Sequence, residues 1–349
     1  MAENPIIIVN FGGPRSIREI KPFLTSLLTD RDVVQTPLPK WINNGLFRLI
    51  ALFRSRSIAS SYEEIGGCSP IYDDTEFVAN HLRQVQSRPV ITFHRYIPAT
   101  HKAFLNQLNQ YKHADEMTIF PMFPQFTYAT TGSIARWFWD NCPSTLVHKM
   151  RWIRSYPDHQ AFVDAMVNVL EKHLNDHHLN QKNVTMIHSA HGIPKKFDRC
   201  GDPYQSECKR TFEAIKKKMP NVTHYLTFQS KFGPGEWIKP YTEQFCEESK
   251  NWLKPNHKVV FNPISFTSDH IETLFEIERD YMPILKEKGM DVYRAPALNR
   301  DKTWLTAIES IITTKDTVTT QMLVPSYCPL PSLCLKFGRC SCPQALSKK

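Results

Sequence analysis

The chain has 349 residues, 41% apolar and 22% charged, with a formal net charge of +9. That is an ordinary globular composition, long enough for two lobes of roughly 150 residues each. The charge favours anionic partners, but the basic residues are scattered and the longest cationic run is three lysines at 216–218. Nucleic-acid binding would need a basic stripe and is set aside.

In chain order, short β-branched or aromatic runs fall at 6–9, 90–93, 117–120, 184–187, 225–228 and 259–261, with helical stretches between them. Continuous apolar strands alternating with helices predict an α/β fold with parallel sheets covered on both faces. The expected division is an N-terminal α/β lobe over 1–150, a C-terminal lobe over 151–320 and a tail over 321–349, the last helix able to pack back on the first lobe. A helix over 158–175, with Asp158 as N-cap, links the halves.

Polar and aromatic residues follow every strand: Asn10-Phe-Gly-Gly-Pro14, His94-Arg-Tyr96, Pro121-Met-Phe-Pro-Gln125, His188-Ser-Ala-His-Gly192, Gln229-Ser-Lys231 and Asp269-His270. In open α/β sheets ligands bind beyond the carboxyl ends of the strands, so one cleft between two lobes is expected. No segment reaches the roughly 18–20 apolar residues of a membrane span, and no secretory signal precedes the first strand. A cytoplasmic protein is the expectation. Residues 37–56, with Leu38, Trp41, Ile42, Leu46, Phe47, Leu49, Ile50, Leu52 and Phe53 followed by Arg54 and Arg56, carry more apolar surface than a connecting helix needs. They form either a core helix or a hydrophobic lip that touches membrane or a greasy substrate.

Two stretches carry chemistry. His188 and His191 end a strand before a Gly-Ile-Pro turn, and a histidine titrating near neutrality is a natural proton acceptor. In the other stretch, Glu272, Glu276 and Asp280 stand four apart on a predicted helix, beside His270. Like charges so placed repel by roughly 0.2–0.5 kcal/mol per pair, so the row is either a solvated face near a helix N-terminus or a cation site. Mixed histidine and carboxylate donors suit Fe2+, Mn2+ or Zn2+.

Eight motifs in order, from Asn10-Phe-Gly-Gly-Pro14, Ile65-Gly-Gly-Cys-Ser-Pro70, Phe123-Pro-Gln and Thr130-Thr-Gly-Ser133 to Ser189-Ala-His-Gly-Ile-Pro194, Gly201-Asp-Pro-Tyr204, Thr227-Phe-Gln-Ser-Lys231 and Thr267-Ser-Asp-His-Ile-Glu-Thr-Leu274, resemble ferrochelatase, the family that inserts Fe2+ into a porphyrin. The resemblance implies two similar Rossmann-like lobes with a porphyrin cleft between them. It implies that His191 and Glu272 are the facing catalytic and metal-binding residues, and that Glu276 and Asp280 extend a row conducting Fe2+ or protons. It further implies that Asn10, Phe11, Tyr62, Ser69, Arg95, Tyr96, Phe123, Trp237 and His270 contact porphyrin. Arg54, placed by counting back from Tyr62, would meet a propionate. The lip at 37–56 matches the family's hydrophobic mouth, which implies peripheral membrane contact.

Some family members carry a [2Fe-2S] cluster on C-terminal cysteines, in animal-type members with one internal cysteine. Here Tyr128 stands at that internal position. The tail supplies Cys328, Cys334, Cys340 and Cys342, the four thiolates such a cluster requires; zinc or unliganded thiols are the alternatives. Protoporphyrin IX and Fe2+ are the expected substrates. Coproporphyrin III metalation, a non-catalytic haem or iron carrier, and a cobalt or nickel chelatase are the rivals. Monomer and homodimer both remain open.

Overall fold

The computed structural model describes residues 3–36, 38–233 and 235–324. Among them nine strands form: β1 (Ile6–Asn10), β2 (Val90–His94), β3 (Met117–Pro121), β4 (Met150–Trp152), β5 (Val184–His191), β6 (Thr223–Gln229), β7 (Lys258–Asn262), β8 (Val292–Arg294) and β9 (Val318–Thr319). Six are the predicted strands. The other three are two or three residues long, too short for any periodicity to show.

The first sheet has the order β2-β1-β3-β4-β9, parallel except for the antiparallel pairing of β9 on β4. The second, β6-β5-β7-β8, is parallel throughout. In β1, Ile7 pairs with Ile91 on one side and Ile119 on the other, and Ile6 to Val9 are wholly buried. Two-sided burial of this kind is why these strands read as unbroken apolar runs.

The expected lobe boundary at residue 150 falls inside β4, which pairs in register with β3 and so stays in the first sheet. The chain also returns there at its end: β9 and the helix Thr320–Leu323 join the first sheet, where Thr320 Oγ1 accepts the Trp152 indole N–H at 2.9 Å. Between them the helix Lys302–Ile311 packs on the linking helix Gln160–Asp176. That linking helix starts two residues later than predicted. Its N-cap is His159, because the Asp158 carboxylate is taken by Arg210 in a two-pronged ion pair.

Of the helices between β1 and β2, three build the first lobe's mouth: α1 (Ile20–Leu28), α2 (Lys40–Ser57) and α3 (Ala59–Glu64). Helix α2 has two apolar faces. Asn43, Phe47 and Ala51, four apart, are buried on one, while Trp41 (77% exposed), Leu46, Leu49 and Phe53 (61%) face outward on the other. One helix therefore supplies both a core stripe and an exposed apolar stripe. No described helix is long and apolar enough to cross a membrane.

The lobes are tied together behind the mouth. The loop at 122–128 reaches the second lobe through Gln125 to Thr211, Phe126 N–H to Glu207 and Thr127 to Asp202, at 2.9, 2.7 and 2.7 Å. At the mouth itself the Arg54 guanidinium lies 4.5 Å from the Phe232 ring centre, Arg279 pairs with Glu64 at 3.1 Å, and Lys196 donates to the Gln35 carbonyl. The predicted cluster ligands Cys328, Cys334, Cys340 and Cys342 lie outside the described residues.

Candidate active site

His191 is the last residue of β5, where the strand's direction carries its ring out of the sheet. Its backbone N–H donates to Ser265 Oγ at 3.0 Å. The next residue must be small: a Cβ on Gly192 would stand 2.7 Å from the Gln229 carbonyl oxygen, to which Gly192 N–H donates. Trp237 bridges to Pro194 and closes over this turn.

The His191 Nδ1 lies 2.8 Å from Glu272 Oε2, with the two side chains 37% and 32% exposed. Burial works against a charged imidazole, but the Glu272 carboxylate outweighs it by charge and by hydrogen bond, so His191 holds its proton more tightly than an ordinary histidine. Burial likewise works against ionising Glu272, and His191, with His270 at 3.5 Å, overrides it and holds the carboxyl well below the usual range. With Nδ1–H committed to Glu272, the neutral ring presents Nε2 as its lone pair. Phe266 packs against both histidines, 6.4 Å from His191 and 4.7 Å from His270.

The acidic element is wound differently from the expected α-helix. Glu272–Tyr281 is a ten-residue π-helix, a rare form that frequently occurs at functional sites. Its N-terminus is anchored by buried Asp269, which accepts from Thr273 Oγ1, Arg294, Asn299 and the Ala297 N–H. Along the element Glu272 and Glu276 are half-buried and Asp280 is exposed, so the row runs from the site to the surface. Burial and the neighbouring Glu272 charge raise the Glu276 pKa, and burial followed by Glu243 raises that of Asp280. Among the described residues no group of three or more His, Cys, Asp or Glu side chains is arranged to hold a metal ion. His191, His270 and Glu272 come together, while Asp280 stands apart at the outer end.

The first lobe contributes an aromatic wall at the ends of β1 to β3. Phe11 meets Tyr96 edge-on at 4.4 Å and Phe123 at 6.5 Å. Ser69 is locked against this loop, since a Cβ on Gly13 would overlap its side chain at 2.4 Å. Ile271, beside Glu272, packs into the same apolar cluster as Phe11, Phe47, Tyr62 and Tyr96. Burial, and then the Glu272 charge, raise the Tyr62 pKa. These contacts join the two halves of the site.

Three expected porphyrin contacts are committed within the protein. Asn10 Oδ1 accepts the Phe11 N–H and its Nδ2 donates to Thr75. Arg95 donates to Asp30 at 2.6 Å and to Ser133, and the buried Tyr96 hydroxyl shares the same Asp30 oxygen. Sequence reasoning missed Asp30, Ser265 and Tyr281, and it quoted Ser133, Gln229 and Ser230 within motifs without giving them a role. Most are polar residues whose partners lie far off in the chain, and Tyr281, whose partner Glu276 is five residues back, falls outside α-helical spacing, so no local pattern marks them. Tyr128 packs edge-on against Phe126 in the cluster that also holds Leu323 and Val324. The described chain therefore ends beside the position where the resemblance looks for a cysteine. Burial pushes the Cys142 thiol up to about 12, a poor thiolate donor.

Two parallel-sheet lobes, with a histidine–carboxylate pair at their junction and a carboxylate row leading outward, define a chelatase-type protein. In the same fold, at a TM-score of 0.52 and 10% identity, is the solved structure "SirB from Bacillus subtilis with Fe3+", matched over 89% of this chain and 96% of that one. The chain belongs to the ferrochelatase family. That family's model, Ferrochelatase, matches residues 3–316. The Ferrochelatase of Chlamydia caviae is 40% identical over 320 residues, 92% of this chain and 98% of its own. That of Chlamydia pneumoniae is 38% identical, over 92% and 96%. The protein is thus a metal chelatase, a lyase that inserts Fe2+ into a porphyrin in haem synthesis.

Proposed function

We propose that the cleft takes protoporphyrin IX, that His191 accepts the pyrrole protons, and that Fe2+ arrives along Asp280, Glu276 and Glu272. The observation that carries this reading is the 2.8 Å His191–Glu272 pair, which leaves Nε2 free to receive a proton. Two N–H protons leave the ring as one Fe2+ enters. A flat porphyrin points its nitrogens inward, so a cleft that bends the macrocycle would supply strain from remote binding energy. The aromatic wall of Phe11 and Phe123 and the Trp237 side would hold the ring, with Tyr62, Ser69 and His270 beside it.

Substrate choice follows from charge. Arg95 is already paired with Asp30, and Arg54 is the half-buried cation of the lip, lying over the Phe232 ring, while Lys40, Arg48 and Arg56 are exposed. That supply suits two propionates better than four carboxylates. Anaerobic mixing of the protein with Fe2+ and either porphyrin, followed by absorbance, tests this directly. Protoporphyrin IX should be metalated faster than coproporphyrin III; the reverse order would overturn the choice of substrate.

Two finer parts of the reading concern surroundings. The outward stripe Trp41, Leu46, Leu49 and Phe53, flanked by Lys40, Arg48 and Arg56, fits peripheral contact with an anionic bilayer. The four tail cysteines would hold a [2Fe-2S] cluster by themselves, since Tyr128 supplies no thiolate. Iron and sulfide analysis of the full chain should find two of each per protein; none would contradict the cluster.

A further inference from the structure

Residues five apart do not meet on an α-helix, where 3.6 residues per turn set them about 140° apart around the axis. In the π-wound segment Glu272–Tyr281 the i→i+5 ladder brings such pairs onto one face, and the Tyr281 hydroxyl donates to Glu276 Oε1. The other carboxylate oxygen, Oε2, accepts from Ser230 Oγ at 2.5 Å and from Gln229 Nε2 at 3.1 Å. The tyrosine oxygen in turn accepts the Ser230 backbone N–H at 3.2 Å. Ser230 makes both contacts from φ +61°, a left-handed conformation that a non-glycine residue adopts at a steric cost. Gln229 is fixed on its far side, donating to the Glu272 carbonyl at 2.8 Å and accepting from Ser189 at 2.7 Å.

We propose that Tyr281 is a positioning residue for iron handling. Its hydroxyl, supported by Ser230 and Gln229, holds the Glu276 carboxylate at a preset place between Asp280 and Glu272, and ties that placement to the π winding. The inference rests on reading the acidic row as the Fe2+ route. A carboxylate ordered in advance spares the incoming ion the cost of ordering it. Without the hydroxyl, Oε1 loses its donor and Fe2+ itself must order the side chain. Porphyrin contacts on the first lobe are untouched by that loss.

The test is steady-state metalation at varied Fe2+ and varied porphyrin, comparing wild type with Tyr281→Phe, Ser230→Ala, Glu276→Gln and the double variant Tyr281→Phe/Glu276→Gln. Tyr281→Phe should raise KM for Fe2+ about tenfold, the worth of one hydrogen bond to a charged group, and leave KM for porphyrin within about twofold. Ser230→Ala should move the Fe2+ KM in the same direction, and it carries the test alone if Tyr281→Phe does not fold. On the Glu276→Gln background Tyr281→Phe should add nothing further. An unmoved Fe2+ KM in both Tyr281→Phe and Ser230→Ala, an equal rise in the porphyrin KM, or the full effect persisting without Glu276 would each overturn the role of Tyr281. Wild type that metalates no porphyrin would instead sink the proposed function itself.

Discussion

At His191 two influences oppose each other: burial disfavours a charged ring, and the Glu272 carboxylate 2.8 Å away favours one. The carboxylate wins, so the ring needs a higher pH than an ordinary histidine to become the neutral acceptor. Activity limited by that deprotonation rises with pH through a value above 6.5. Glu272→Gln removes the charge and leaves the burial. The residual activity should therefore show its acid limb at lower pH than wild type, measured as kcat/KM against pH; a limb that stays in place would contradict the pairing. A second histidine obeys the opposite sign. His188 is wholly buried, its Nδ1 accepting from Asn262 Nδ2 and its Nε2–H donating to His224 Nδ1, whose own Nε2–H donates to the Met219 carbonyl. Burial, then the neighbouring His224, holds the pKa of His188 well below the ordinary value. Its contribution to stability is complete above the unfolded-state pKa of about 6.5. It is lost as pH falls below that, by up to about 1.4 kcal/mol per pH unit. Thermal midpoints between pH 7 and pH 5 should fall less steeply in His188→Gln than in wild type, and equal slopes would contradict it.

Secondary-structure elements account for both the legible and the illegible parts of the site. The six main strands declared themselves because both faces of each sheet are covered, and the residues that follow them could be read as site candidates for the same reason. The π winding could not be read. Four-residue spacing of Glu272, Glu276 and Asp280 suits an α-helix equally well, and nothing in the sequence marks the i→i+5 ladder. Helix α2 shows a related ambiguity: its apolar residues fall on two faces, one buried stripe and one exposed stripe. Burying one large apolar side chain is worth about 1.5–3 kcal/mol. Replacing both Trp41 and Phe53 by serine should weaken co-sedimentation with anionic vesicles by about tenfold or more, while leaving metalation of porphyrin in detergent intact. Unchanged sedimentation would remove the bilayer from the account.

Across the whole molecule, the cleft is a product of connectivity. The chain leaves the first sheet after β4, builds the second, and returns through Lys302–Ile311 and β9. Its carboxyl strand ends thus face one junction, tied behind by Asp202 and Glu207 and in front by Arg54 and Arg279. The two-lobed plan was legible from alternating strands and helices. The short strands were not, being too brief for a period to show, and neither were the cross-lobe hydrogen bonds, whose partners lie as far apart as the 161 residues between Lys196 and Gln35. In the proposed function, this junction moves protons from a porphyrin to His191 while iron enters along the acidic row. It is tested most directly by anaerobic metalation of protoporphyrin IX with Fe2+ by wild type and His191→Ala. The wild type should form haem and the variant should lose about a hundredfold or more of that rate, in keeping with the 10²–10⁴ that a positioned proton acceptor supplies. Equal rates in the two proteins would contradict it.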